Sequence, residues 1–354
     1  GSHCLLITSP FSLLDLAYVF RTETYSCYRE LHIMILIKLR RYLSSNLAIK
    51  LRHLILFFRG ILLRRGTLSL SLSTLKKSAN KQNLTGKIRW KMAFDRNPLL
   101  PIFADKYAVR NFVTERIGEK YLVDLIFETT DPLSLKDLKL PEEFVIKSNH
   151  GSGAMILVSN NAPASGKLPS KIPKNTWDKY LIHPSNFRVE ESIEWAAKWL
   201  SQNFYYRPGY FPEWAYKSIR PRILVEKLLS GKDGNLPNDF KFFMVNGRCK
   251  FIQVDSSRFN SHSRDLYTPE WIKIIGTYKY PNSNHSQDKP YLLGNMLEVA
   301  EKLSHGIDFV RVDLYETDQG VKFGELTNYP EGGIGKFKPA ILDEEFGEGW
   351  FPAY

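Results

Sequence analysis

Four polar residues gathered by one tight hairpin constrain this chain more than any other feature. Phe309 to Tyr315 and Val321 to Leu326 read as strands joined by a turn at Asp318-Gln319-Gly320. Alternate side chains of a strand share a face, so Arg311, Asp313, Glu325 and Thr327 converge. Two carboxylates meeting on one sheet face repel unless a cation lies between them. Hard oxygen ligands of this kind suit magnesium held together with phosphates. Ion pairing of Asp313 and Glu325 with Arg311 and Lys322 is the other arrangement that relieves the repulsion.

A second hairpin precedes it. Phe144-Val145-Ile146 is a short apolar strand running into Lys147 and then Asn149-His150-Gly151-Ser152-Gly153, with Met155 to Val158 as the return strand. Glycines let backbone N–H groups approach phosphate oxygens, and an adjacent ammonium neutralises their charge. The spacing matches neither the P-loop nor the dinucleotide-binding glycine fingerprint, and a purely structural turn explains it equally well. Ile223 to Leu229 is a third strand. Phe240 to Val245, the turn Asn246-Gly247 and Cys249 to Val254 form another hairpin. Between these lie helical stretches: Arg96 to Leu125 with Asp105 as a cap, part of Trp177 to Tyr216, and Leu292 to Leu303. Trp177, Trp195, Trp199 and Trp214 read as core, and Asn328 to Gly333 as a loop over the site. Hairpins interleaved with helices predict an α+β fold with antiparallel sheets and flanking helices.

The net charge of +12 invites a nucleic-acid reading, but its location argues otherwise. Fourteen Lys and Arg and no acidic residue fall between Met34 and Lys91, leaving 35 Lys and Arg against 37 Asp and Glu elsewhere. A near-neutral remainder argues against a nucleic-acid groove. From Met34 to Arg65 apolar residues recur at helical spacing with basic residues between them, which predicts basic amphipathic helices. These either dock on the chain's own core or lie on an anionic membrane surface. No apolar run there reaches the ~20 residues of a spanning helix. Gly1-Ser2-His3 resembles a tag scar, and residues 4–33 read as sequence upstream of a start at Met34. Ser69 to Asn83 reads as a linker. Cys4, Cys27 and Cys249 form neither a disulfide framework nor a zinc motif, which fits the reducing cytoplasm.

Six segments in order resemble the ATP-grasp superfamily, specifically the TupA-like type of teichuronopeptide and surface polysaccharide biosynthesis. They are Asp105 to Arg110, Phe144 to Gly153, Val225 to Leu229, Asp239 to Phe243, Arg311 to Asp313 and Gly324 to Thr327, within a similarity spanning roughly Lys87 to Trp350. The resemblance implies an ATP-grasp fold that sandwiches the nucleotide between antiparallel sheets. It implies division at 34–92 (basic segment and linker), 93–145 (lead-in), 146–235 (central) and 236–354 (C-terminal). By the same resemblance Lys106 and Lys147 contact ATP phosphates, and Asn149, His150, Gly151, Ser152 and Gly153 close over them. Glu226, Lys227 and Leu228 meet the adenine, Asp239 lies near the ribose, and Lys241 and Arg311 stabilise charge in catalysis. Asp313 and Glu325 hold magnesium, with Thr327 where many relatives carry Asn.

The family's chemistry is amide ligation through an acylphosphate. The implied partners are an amino acid or amine and an acidic glycan or lipid-linked saccharide acceptor in bacterial capsule or surface polysaccharide assembly, at or near the inner face of the plasma membrane. A phosphotransferase acting on a glycan hydroxyl and a catalytically degenerate nucleotide-binding scaffold are the alternatives. Arg207, Arg220, Arg222, Arg258 and Arg264 are the candidate groups for an acceptor carboxylate, because a guanidinium fork matches it; His150 and His262 are ambiguous.

Overall fold

The structure, a computed structural model, describes residues 71–352 apart from 208, 257–261 and 285. The tag-like start, the upstream stretch, the basic helices expected over Met34–Arg65 and Arg258 lie outside the described residues. No described helix is long and apolar enough to cross a membrane.

Five strands form the first sheet: β1 (Leu125–Thr129), β2 (Phe144–Ser148), β3 (Met155–Val158), β4 (Lys179–Ile182) and β5 (Ile223–Lys227), in the order β1-β5-β2-β3-β4. Alternation in β2 sends Phe144 and Ile146 to a core shared with Ile156, Val158, Ile223 and Val225. A helix over Val189–Leu200 covers that face with Trp195, Ala196 and Trp199, which recur at helical spacing and are fully buried. Glu190 and Glu191 in its first turn and Lys198 in its last complement the helix dipole. The opposite face presents Val145, Lys147 and Glu226.

The second sheet is built from β6 (Asp239–Val245), β7 (Arg248–Ser256) and β8 (Ser263–Tyr267), joined by β10 (Phe309–Thr317) and β11 (Gly320–Thr327). Its order is β11-β10-β6-β7-β8, antiparallel throughout. A small third sheet pairs β9 (Thr277–Tyr278) with β12 (Phe337–Lys338). The β6–β7 turn places Asn246 at φ 49° and Gly247 at φ 76°, the left-handed pair that a two-residue hairpin requires. One face of the second sheet packs Phe242, Met244, Val310 and Val312 under α5 (Leu293–Ser304) and α3 (Val109–Ile117). The other face is divided. Phe243, Phe251 and Phe309 lie under α1 (Leu84–Phe94), α6 (Ile341–Gly347) and Trp350, with Phe251 stacked on Phe346 at 4.0 Å. Further along the same strands the face becomes ionic, with Asp239, Lys241, Asp255, Arg311 and Asp313 all buried. The short α2 (Leu99–Ala104) precedes α3, and the Val189–Leu200 helix is α4.

Three expectations need correction. The first sheet is mixed, because β4 runs parallel to β3; residues 159–178 carry the chain back to re-enter in the same direction, which a short hairpin turn cannot do. Where composition predicts a linker over Ser69–Asn83, residues 71–78 are helical and Leu75 is fully buried. A division between residues 92 and 93 also cuts through one core, since Leu84, Ile88 and Met92 of α1 pack with Phe346 and Trp350.

Candidate active site

Lys147 sits one residue before the end of β2, facing away from the Trp195 core. Pairing of β2 with β5 sets Val145 opposite Glu226, and the Lys147 ammonium lies 2.5 Å from Glu226 Oε2. Arg110 approaches the other Glu226 oxygen at 3.5 Å. Lys106, on the turn before α3, donates through Nζ to the Gly151 carbonyl. Burial lowers the Lys106 pKa and Lys147 beside it adds to the effect, against the pull of Glu325, Asp105 and Glu226. Two ammonium groups are thus held close together on one wall.

The facing wall comes from the ionic half of the second sheet. Register places Asp313 between Glu325 on β11 and Lys241 on β6. Arg311 grips Asp313 through Nε at 2.6 Å and Nη2 at 2.7 Å, and reaches Glu325 at 2.9 Å and Thr327 at 3.0 Å. Lys241 joins Asp239 to Asp313, the latter at 2.5 Å. Burial opposes the charge on Lys241, yet Asp239 and Asp313 hold it above the ordinary lysine value. Burial would likewise raise the Glu325 carboxyl, but Arg311, Lys106, Lys241 and Lys179 hold it well below the carboxylate range. Glu325 is therefore an anion whose field comes from both walls.

Between the walls lies a cavity of about 160 Å³. Of the residues singled out from sequence, Lys106, Lys147, Ser152, Gly153, Glu226, Lys227, Leu228, Asp239, Lys241, Asp313 and Glu325 line it. A wider cleft of about 460 Å³ beyond Val123, lined by Tyr107, Arg110, Asn111 and Asp124, gathers no comparable set of opposed charges. Arg311 and Thr327 stand behind the cavity wall, bonded to its carboxylates. Lys322 is turned elsewhere, donating to the Lys120 and Leu122 carbonyls, so Lys241 and not Lys322 shares the carboxylates with Arg311.

Asn149, His150 and Gly151 are turned away from the cavity, contrary to the sequence expectation. The Asn149 amide donates to Asp105 at 2.8 Å and to the Arg220 carbonyl, and its oxygen accepts from the Arg222 N–H. His150 lies against Ser148 Oγ on one side and the Trp199 and Gln202 carbonyls on the other. Burial brings its pKa down to about 4, so the ring is neutral and fastens the glycine turn to the end of α4. Beta alternation predicts Lys147 and Asn149 on one face, but the strand stops at Ser148 and the alternation stops with it. Gly151 packs so closely on Trp177 that a Cβ would come within 2.3 Å of that ring.

Gly153 has φ +83°, and a Cβ there would lie 2.0 Å from the Trp177 carbonyl oxygen. Gly153→Ala is expected to lower the unfolding free energy by more than about 1 kcal/mol, read from urea midpoints. An unchanged midpoint would show that this turn is not a fixed wall of the site.

Lys179 was not marked by any sequence signal. It lines the cavity from β4, a four-residue strand with no turn-linked partner. Arg110 belongs to a recognised segment, but its role at Glu226 depends on a pairing invisible in the sequence.

Among the described residues no three His, Cys, Asp or Glu side chains gather closely enough to hold a metal by themselves. Asp313 and Glu325, as cross-strand neighbours on the cavity wall, instead suit a cation shared with phosphate oxygens. The model of the family TupA-like ATPgrasp matches residues 86–350, most of the chain and both walls of the cavity.

The chain belongs to the TupA-like ATP-grasp family. Its fold is accordingly ATP-grasp. Several solved ATP-grasp structures also match at low identity. The ATP-grasp ligase PsnB complexed with minimal precursor is 10% identical, with a TM-score of 0.32, over 66% of this chain and 54% of that one. D-alanine–D-alanine ligase from Bacillus anthracis complexed with ATP is 12% identical, with a TM-score of 0.32, over 64% and 54%. The ADP complex of purK, N5-carboxyaminoimidazole ribonucleotide synthetase, is 12% identical, with a TM-score of 0.38, over 66% and 46%. The TupA-like chain thus spans about half the length of these proteins. No curated protein matches it.

Proposed function

We propose that the protein is an ATP- and magnesium-dependent carboxylate–amine ligase acting on an acidic glycan or lipid-linked saccharide in surface polysaccharide assembly. The observation that supports it is the opposition across one cavity of Lys106 and Lys147 to the Asp313–Glu325 pair. The two ammonium groups suit the triphosphate, and Glu226 to Leu228 form the edge for the base. Asp313 and Glu325 would hold the magnesium, with the Thr327 hydroxyl as a neutral oxygen beside them. When bound, the cation would screen charge between the triphosphate and an incoming carboxylate. Lys241 and Arg311 hold both carboxylates in place and oppose the burial that lifts the Asp313 carboxyl to about 6.

In the reaction an acceptor carboxylate oxygen attacks the γ-phosphorus and ADP departs. The amine nitrogen then attacks the acyl carbon, phosphate leaves, and the amine proton passes to solvent. Positioning and fixed charge supply the catalysis, with no side-chain nucleophile needed. The basic segment from Met34 to Arg65 suits an anionic, lipid-linked acceptor at the inner membrane face.

Incubation of the purified protein with MgATP, a panel of uronic acids and a panel of amino acids tests this. Release of phosphate that needs both partners, with an amide in the mass spectrum, is expected. A phosphorylated sugar would make the protein a phosphotransferase. Tight nucleotide binding without turnover for any pair would make it a scaffold, and either result sinks the ligase reading.

A further inference from the structure

The chain between α4 and β5 runs through two single helical turns, Phe204–Tyr206 and Trp214–Tyr216, beside the cavity rather than in its lining. Phe204 backs the glycine turn, where a Cβ on Gly151 would lie 3.0 Å from its ring. Glu213 borders the turn that follows β11, with Oε1 at 3.9 Å from a Cβ built on Gly332. The Glu325 charge acts on both Glu213 and Tyr216. This segment therefore lies between the glycine turn and the loop after Glu325.

Arg207 occupies the middle of that segment. Its guanidinium carbon is 4.0 Å from the Phe204 ring centre and 3.7 Å from that of Tyr210, which fixes the plane of the fork. Only Nη2 is engaged, by Glu213 at 3.4 Å, and Nε is buried with no hydrogen-bond partner among the described residues. Two of the other candidate arginines are closed by comparison, while Arg220 is exposed on the surface. Arg264 holds Asp255 with two bonds, at 2.6 and 3.1 Å, and Arg222 lies 2.5 Å from Glu128. A planar guanidinium that is positioned but not satisfied is suited to a planar, bidentate anion.

Resting on the ligase reading, we propose that Arg207 binds the carboxylate-bearing acceptor, gripping a carboxylate through its fork beside the glycine turn. Burial supports this by lifting the Glu213 carboxyl to about 7, so near neutral pH it is partly protonated and leaves much of the Arg207 charge available. Phe204 is buried beneath the guanidinium, whereas half-exposed Tyr210 adds apolar surface for a sugar ring.

Calorimetric titration of the full chain, saturated with magnesium and a non-hydrolysable ATP analogue, tests the assignment with D-glucuronate, L-glutamate and inorganic phosphate as separate probes. Arg207→Ala is expected to weaken binding of the carboxylate probe about 10- to 100-fold and leave analogue affinity within about twofold. Arg207→Lys, which keeps the charge without the fork, should recover only part of the loss and serves as the readout if the alanine variant does not fold. Carboxylate binding that is equal in wild type and variants overturns the role of Arg207 while leaving the ligase reading intact. Loss of analogue or phosphate binding with carboxylate binding unchanged assigns Arg207 to the nucleotide and likewise overturns it. A wild-type protein that binds neither carboxylate overturns both.

Discussion

Glu325→Gln is expected to slow MgATP turnover by about 10²- to 10³-fold, the loss seen when one pre-oriented charge-stabilising group is removed from an active site. The fold should survive. Arg311 keeps both of its bonds to Asp313, and the Glu325 side chain is about a third exposed, so the neutral amide is not stranded in a dry core. Steady-state ATP consumption beside a thermal melt reads both halves of the expectation. Full magnesium-dependent activity in the variant would remove Glu325 from the proposed metal set and leave Asp313 as its only carboxylate, which overturns the site assignment.

Asp313→Ala should behave differently because Asp313 is almost wholly buried and bonded on both sides. Its removal takes away the carboxylate that Arg311 and Lys241 share, leaving two buried cations with one carboxylate each, Glu325 and Asp239. Breaking a buried pair from one side costs about 3 to 5 kcal/mol, so the variant is expected to lose a large part of its stability as well as its activity. Urea unfolding at neutral pH measures this. A midpoint equal to that of wild type would mean that solvent reaches these cations and that the network contributes little. The paired variants separate a carboxylate that serves mainly the ligand from one that also holds the wall together.

Elements joined by tight turns were legible in the sequence. The β6–β7 and β10–β11 hairpins follow from Asn246-Gly247 and from the alternation around Arg311, and the second of them brings Asp313 and Glu325 together; Lys241 joins them only because β6 lies beside β10, a pairing no local signal announces. What was not legible depends on partners far along the chain. β4 has four residues and pairs with β3 only after a twenty-residue excursion, so Lys179 carries no local signal. The Lys147–Glu226 contact exists because β2 lies beside β5. Asn149 and His150 adjoin the glycine turn in sequence, but side-chain direction after a strand ends is set by what lies underneath. There, α4 offers carbonyls to the imidazole, and Arg222 offers a backbone N–H to the amide. The family landmarks located the segments; only the packing decided which side chains face the cavity.

The apolar half of the second sheet bears on how this protein can be dissected. Its cover comes from α1 near the start of the described residues and α6 near their end, and these two helices fasten directly to one another. Thr85 donates to Asp343 at 2.8 Å, and Lys87 reaches the Gly347 carbonyl at 2.7 Å. They work as the two halves of a buckle. A fragment trimmed to begin after Met92 would leave Phe251, Phe346 and Trp350 facing water and loosen the strands on which Lys241 and Asp313 are mounted. The ATP-grasp unit, in practical terms, reaches back at least to α1, and an expression boundary drawn just before Lys106 would discard the clasp behind its ionic wall.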